Sequence, residues 1–286
     1  MKHIKAELPA NYELVISSDL HLGCPNVNED TIQEMIEYVG TTKHAYMANI
    51  GDNIEGICAW DKRFSHNDNP YKTPIEQANR IIELFKPIRK KILAWGYGNH
   101  ENTVLGFGDM GRLMADGIGC PYGSGLYTLE AISKNHKGLM HKMFFTHGMG
   151  SFSSKAKDYA QRQANMMSAL KLKLQTCGLD DVILMAMGHT HKSLIVNPTG
   201  PMEKHFNTYD GHVKKFHIID YDQTSSYIPA DFKWYISNPS FMKLYSSPDN
   251  DYMSYGEMAG YSPSDIGFTK VRIVNSKVTS AELVEL

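Results

Sequence analysis

Short apolar runs alternate with amphipathic stretches through the first two thirds of the chain. Tyr12 to Ser17 (YELVIS) is almost continuously apolar and predicts a buried strand. Asp30 to Gln33 has the spacing of a capping box. Ile32, Met35, Ile36 and Val39 then fall at helical spacing, and Gly40 suits the stop. A second strand covers 45–50, so strand, helix and strand predict a parallel pair with a right-handed crossover. Thr73-Pro74-Ile75-Glu76 starts a helix with a cap residue, a proline at the first position and a glutamate at the third; Pro87 ends it. Ile92 to Tyr97 is the third strand, and a short helix covers Met110 to Asp116. Tyr127 to Ile132, Met143 to Thr146 and Val182 to Met187 are further strands. Ser154 to about Thr176 predicts a long helix with Ala156, Tyr159, Ala160, Met167, Leu170 and Leu174 as its apolar positions. Lys155, Lys157, Arg162, Lys171 and Lys173 lie on its solvated face.

After Asn197 the pattern changes. Lys215 to Ile219, Phe232 to Ile236, Thr269 to Val274 and Val278 to Leu286 read as antiparallel strands. No linker marks a boundary, which predicts one domain over 1–286, with a mostly β segment, 192–286, completing a second sheet. Alternating β and α followed by β predicts an α/β fold of two sheets packed face to face and flanked by helices.

Composition changes this picture little. The 286 residues are 42% hydrophobic and 21% charged, with a formal net charge of −2, so no overall basic field attracts nucleic acid or an anionic membrane. Met1 to Glu7 lacks the apolar core of a signal peptide, and no run approaches a membrane span. Cys24, Cys58, Cys120 and Cys177 are scattered without a Cys-x-x-Cys pair, which predicts a reduced, cytoplasmic protein.

The candidate chemistry lies where the strands end. Asp19 with His21, Asp52, Asn99, His147, and His189 with His191 each follow a strand within a few residues. Ligands of open α/β sheets bind beyond the carboxyl ends of the strands, so adjacent strands would converge these side chains on one edge. Aspartate, histidine and an asparagine oxygen suit mid-hardness divalent metals. Seven candidates are too many for one four-coordinate zinc and fit two metals sharing a carboxylate. The other histidines, His44, His136, His141, His205, His212 and His217, are read as structural, as is Cys24. Glu101 is read as supporting rather than catalytic. The loop Asn53 to Lys72 is long enough to be functional, and Lys62, Arg63, His66 and Lys72 in it are candidates for substrate phosphates.

Asp19-Leu20-His21-Leu22-Gly23, Gly51-Asp52-Asn53, Gly98-Asn99-His100-Glu101, Thr146-His147-Gly148 and Gly188-His189-Thr190-His191 resemble, in order, the five motifs of the calcineurin-like metallophosphoesterase superfamily. The resemblance implies a four-layer α-β-β-α sandwich with a dinuclear metal site at the strand ends. It implies Asp19, His21 and His191 on one ion, Asn99, His147 and His189 on the other, and Asp52 bridging. Hydrolysis would use a metal-bridging hydroxide, with His100 protonating the leaving oxygen or stabilising the transition state. Two divalent ions are implied, manganese first, with iron, nickel, zinc and cobalt admitted.

The first and third motifs look more like the diesterase and nuclease branches. Gly51 to Gly56 departs from the G-D-x-x-D-R-G of protein phosphatases. Ser237-Asn238-Pro239-Ser240-Phe241 with Tyr252, Tyr255 and Tyr261-Ser262-Pro263 resembles phage-encoded members described as DNA-repair exonucleases, although the aromatics are read as packing. The expected activity is therefore a metal-dependent phosphodiesterase on nucleic acid or nucleotides. A small-molecule phosphomonoesterase and a non-catalytic scaffold are the alternatives.

Overall fold

The protein is described from a computed structural model covering residues 1–58, 70–200, 202–206, 213–217, 221–245, 257, 260 and 264–286, with the backbone alone for 202–206 and 213–217. In chain order the elements are β1 (Lys2–Leu8), β2 (Tyr12–Ser17), α1 (Glu29–Thr41), β3 (Ala45–Asn49), α2 (Pro74–Phe85), β4 (Ile92–Gly96), α3 (Asn99–Thr103), α4 (Met110–Ile118), β5 (Tyr122–Ser124), β6 (Leu126–Ser133), β7 (Leu139–Thr146), α5 (Tyr159–Gln175), β8 (Leu184–Met187), β9 (Leu194–Val196), β10 (Met202–Phe206), β11 (Val213–His217), β12 (Trp234–Ser237), β13 (Gly267–Val274) and β14 (Lys277–Glu285). They form a mixed α/β fold with two six-stranded mixed sheets, ordered β1-β6-β7-β8-β12-β9 and β14-β13-β2-β3-β4-β5, and a separate β10-β11 pair. Among the described residues no helix is long and apolar enough to cross a membrane.

The near-continuous apolar runs have a physical cause: their alternate side chains enter two different cores. Leu14 and Ile16 of β2 pack with Met143 and Phe145 of β7 and Leu184 and Ala186 of β8, so one core takes side chains from both sheets. Val15, between them, packs with Ile32, Met35 and Val39 of α1, Ile81 and Phe85 of α2 and Met114 of α4. Phe144, Met185 and Tyr235, on the other face of the first sheet, join Leu170 and Leu174 of α5. Each fully buried Val, Leu, Ile, Phe or Met side chain among these contributes about 1.5–3 kcal/mol relative to exposure.

Several sequence expectations need correction. The cap of α1 is Asn28, whose side chain accepts from the Asp30 N–H, and the helix continues through Gly40 to Thr41. α2 starts as expected, with a complete capping box at Thr73 and Glu76. α5 begins only at Tyr159, and Tyr159 and Met167 are exposed, leaving Leu170 and Leu174 as its buried positions. Its basic residues are not simply solvated: Lys171 pairs with Asp231, and Lys173 donates to the Met149 and Gly150 carbonyls. β12 runs parallel to β8 and is antiparallel only to β9. β1, missed entirely, pairs parallel with β6. The strands after 192 do not build one sheet: β9 and β12 extend the first, β13 and β14 the second.

His141 is structural, as expected, and wholly buried. Its Nδ1 is 3.0 Å from the Ser276 carbonyl and its Nε2 2.8 Å from the Tyr12 hydroxyl, so Nδ1–H donates and Nε2 accepts. Burial pushes its pKa down from 6.5 to about 4. Between these values the unfolded chain binds a proton that the folded chain does not, so stability falls as pH falls. The wild type is expected to lose about 3 kcal/mol through this residue between pH 7 and pH 4. Urea unfolding of His141→Gln should show a correspondingly flatter pH dependence; parallel curves would refute it.

Candidate metal centre

Three of the parallel strands of the second sheet, β2, β3 and β4, deliver Asp19 and His21, Asp52, and Asn99 and His100 from their carboxyl ends. β7 and β8 of the first sheet deliver His147, and His189 and His191. The ladder between β2 and β3 continues into the loops: Asp19 N–H donates to Gly51 O, His21 N–H to Asp52 O, and Leu22 N–H to Asn53 O, at 2.9–3.0 Å. The first two ligand loops are thus fixed to one another by main-chain bonds.

All seven candidate ligands and His100 come together at the facing edges of the two sheets. Three groups have ligand atoms mutually within 4.8 Å: Asp19, His21 and His191; Asp52, His147 and His189; and His21, Asp52 and His100. In the first, His21 Nε2 and His191 Nε2 are 3.1 Å apart, with Asp19 Oδ1 3.3 Å from His191 Nε2. In the second, His147 Nε2 is 3.0 Å from both Asp52 Oδ2 and Asn99 Oδ1, and His189 Nδ1 is 2.6 Å from Asn99 Oδ1. Of the substrate candidates, Lys62, Arg63 and His66 lie outside the described residues, as do Tyr252, Tyr255 and Tyr261; Lys72 lies just before α2, its N–H donating to Glu76 Oε2 at 2.8 Å.

The backbone at these positions is unusual. Of nine described non-glycine residues with positive φ, five are Asp19, His21, Asp52, His189 and His191. Such left-handed conformations cost free energy and persist only where surrounding bonds impose them, as at functional sites. Gly51 (φ +115°) has no room for a side chain: a Cβ there would sit 2.5 Å from Gly98 N. A Cβ on Gly98 would meet Asp52 Oδ1 at 2.1 Å. The second and third motif turns therefore touch back to back, which only glycine allows.

Supporting groups finish the site. Glu101 is wholly buried; its Oε2 accepts the N–H groups of Asp52 and Gly98, and its Oε1 that of Asn53. It thereby shapes the turn that carries Asp52. Glu55 was missed as a functional residue, although its place three residues after Asp52 was the available signal. Its Oε2 is 2.9 Å from His21 Nδ1, and its carbonyl is 2.7 Å from His100 Nδ1. Both rings therefore carry the proton on Nδ1 and present Nε2 to the cluster. Asn49 was missed too; its Oδ1 accepts from Gly51 N–H and Gly96 N–H.

The electrostatics suit a cation. Burial, followed by the nearby His100, depresses the pKa of His21; burial, followed by His147, depresses that of His189. Neutral imidazoles are the ligating form. Burial opposes protonation of His147, but the Asp52 carboxylate outweighs it and raises the pKa to about 9. Burial likewise works against ionisation of Asp52, and the hydrogen bond from His147 reverses it to a net lowering. The proton on His147 Nε2 thus occupies a place where two oxygens converge. In the other group two imidazole nitrogens face each other beside Asp19, again with lone pairs in excess of hydrogens. The donor set, four imidazole nitrogens with carboxylate and amide oxygens, fits divalent ions of intermediate hardness.

No protein-family model matches the chain, and no curated protein matches it. A structural comparison finds a conserved uncharacterised protein from Streptococcus pneumoniae TIGR4, described as a predicted phosphoesterase. It covers 96% of this chain and 98% of that one, at 9% identity and a TM-score of 0.27. A match at that TM-score lends no weight to a function, which rests on the site itself.

Proposed function

We propose that the chain is a single calcineurin-like metallophosphoesterase domain over 1–286. In this reading it is a four-layer α-β-β-α sandwich that holds two divalent ions, manganese first, and hydrolyses phosphodiesters of nucleic acid or nucleotides in a reducing, cytoplasmic setting. The layering is supported by one core shared between the sheets and two outer cores shared with helices. One observation carries the site assignment. A single carboxylate oxygen, Asp52 Oδ2, is 4.0 Å from His21 Nε2 of one group and 3.0 Å from His147 Nε2 of the other.

Asp19, His21 and His191 would hold one ion, Asn99, His147 and His189 the other, and Asp52 both. Such ions supply Lewis-acid chemistry, acidifying water and neutralising phosphate charge. The chain's own residues do the rest. Asp52 Oδ1 accepts the His100 N–H at 2.8 Å, leaving Oδ2 to face the cluster. His100 Nδ1 is occupied by the Glu55 carbonyl, so Nε2 is the atom that would give a proton to the leaving oxygen. Burial works against its charged form, but the Glu55 and Asp52 carboxylates outweigh burial and raise its pKa, which favours an acid role. The diesterase choice rests on the Asp19 to Gly23, Gly51 to Gly56 and Gly98 to Glu101 sequences and is the finer part of the reading.

The test is a manganese-loaded panel of bis(p-nitrophenyl) phosphate, p-nitrophenyl phosphate, single-stranded and duplex DNA, RNA and cyclic nucleotides. Faster turnover of diesters is expected; a preference for the monoester would favour the phosphomonoesterase reading, and no turnover the scaffold. His100→Ala is expected to retain two ions and lose about 10²–10³-fold in kcat on an alkyl diester, but much less on a p-nitrophenyl leaving group, which needs no proton. Loss of metal instead would make His100 a ligand.

A further inference from the structure

Ser237-Asn238-Pro239-Ser240-Phe241 belongs to none of the five motifs, yet it lies directly beneath two of them. Ser237, Asn238 and Ser240 are polar and fully buried. The Asn238 N–H donates to Met187 O at 2.8 Å, at the end of β8 and one residue before Gly188. Its Nδ2 donates to Ser18 Oγ at 3.1 Å, one residue before Asp19, and its Oδ1 accepts the Thr269 N–H of β13 at 3.2 Å. One asparagine thus joins both sheets at the two turns that carry Asp19 and His189.

Ser240 acts on Asp19 itself. Its Oγ donates to the Asp19 carbonyl at 3.1 Å, and the Phe241 N–H donates to the same oxygen at 3.0 Å. Two donors on one carbonyl hold Asp19 at φ 53°, a conformation the residue would not keep unaided. The fit between the two turns is close: a Cβ on Gly188 would lie 2.7 Å from Asp19 Oδ2 and 2.9 Å from the Ser18 side chain. Ser237 Oγ is 2.8 Å from Thr190 Oγ1, between His189 and His191. Among the described residues, no hydrogen bond runs from 237–241 to Asp52, Asn99 or His147.

We propose that Asn238 and Ser240 are positioning residues for one half of the centre: they fix Asp19 against the His189–His191 turn and set the affinity of the Asp19, His21 and His191 group for its ion, leaving the Asn99, His147 and His189 group nearly unchanged. This rests on the two-ion reading of the site. A buried polar segment that served only the fold would weaken both groups together, through loss of stability. Removing the Asn238 or Ser240 side chain weakens one binding step, because their hydrogen bonds to the motif turns end at Ser18 and Asp19. The coupling that remains runs through the His189 N–H, which is 3.0 Å from both Asp19 carboxylate oxygens.

The test is calorimetric titration of the full chain with Mn(II), alone, for wild type, Asn238→Ala and Ser240→Ala, with circular-dichroism melts to establish folding. Wild type is expected to bind two ions. In each variant one step should weaken about 10–100-fold, the range for losing a group that orients a ligand, while the other moves less than about threefold. Paramagnetic resonance at one added equivalent should then show isolated Mn(II), where wild type at two equivalents shows an exchange-coupled pair. Equal weakening of both steps in a folded variant, or of neither, overturns the proposal. If Asn238→Ala does not fold, Ser240→Ala decides by the same criterion. Fewer than two ions on the wild type would instead overturn the two-ion reading itself, before any variant is compared.

Discussion

Asp52→Asn is expected to lower hydrolysis of bis(p-nitrophenyl) phosphate by at least about 10³-fold, since metal charge stabilisation is worth several kcal/mol at about 1.4 kcal/mol per decade. The substitution changes one oxygen to an amide and little else in shape. Oδ1 can still accept the His100 N–H. What disappears is the charge on Oδ2, the oxygen that lies 4.0 Å from His21 Nε2 of one group and 3.0 Å from His147 Nε2 of the other. That charge also sustains the proton on His147 in the metal-free protein, so the variant's His147 should titrate well below about 9. The apo fold should survive, because Glu101 still accepts the backbone N–H of residue 52. Metal analysis should show weakened binding of both ions rather than one. A rate within tenfold of wild type would sink the assignment of Asp52 as the shared ligand.

Gly98→Ala is expected to destabilise the fold and disrupt the candidate metal centre together. The added carbon would stand 2.1 Å from Asp52 Oδ1, which the His100 N–H holds in place, and 2.5 Å from the backbone Asp52 N. Relief requires moving the Asp52 turn or breaking the bond from Gly98 N–H to Glu101 Oε2. Overpacking of this kind costs about 3 kcal/mol or more. Urea unfolding of the apoprotein measures that loss, and metal titration should show both steps weakened. Gly106→Ala is the control, since nothing lies within 4 Å of a Cβ there. Equal stability of the two variants would mean that the second and third motif turns are not in contact.

Much of this candidate site was readable from the sequence because each candidate ligand sits in a short strand–turn segment that carries its own signal. A buried strand, a glycine and a polar side chain can be seen without knowing any partner. The same locality explains the correct start of α2, where Thr73, Pro74 and Glu76 act within one turn. What could not be read depends on contacts distant in sequence. Trp234 to Ser237 has a strand pattern, but nothing in that pattern says that its neighbour is β8 and the pairing parallel. β1 alternates lysine and glutamate with apolar residues because it is an edge strand, exposed along most of its length, so its apolar signal is weak. Tyr159 and Met167 fall at helical spacing on α5 but are exposed. Glu55 and Asn238 look like loop residues because their value lies in what they hold, His21 34 residues back and Ser18 220 residues back.

The division of the late strands between the two sheets bears on how the molecule is made. Every candidate metal ligand has left the ribosome once His191 has emerged, yet the segment that fastens Asp19 to the His189 turn comes nearly 50 residues later. β13, which flanks β2 on its open side, comes later still. A nascent chain can thus carry a full complement of ligands and still lack the geometry to hold them. Closing the centre is a long-range event of the kind that slows folding. Metal uptake would then follow the synthesis of β13 rather than guide the earlier steps.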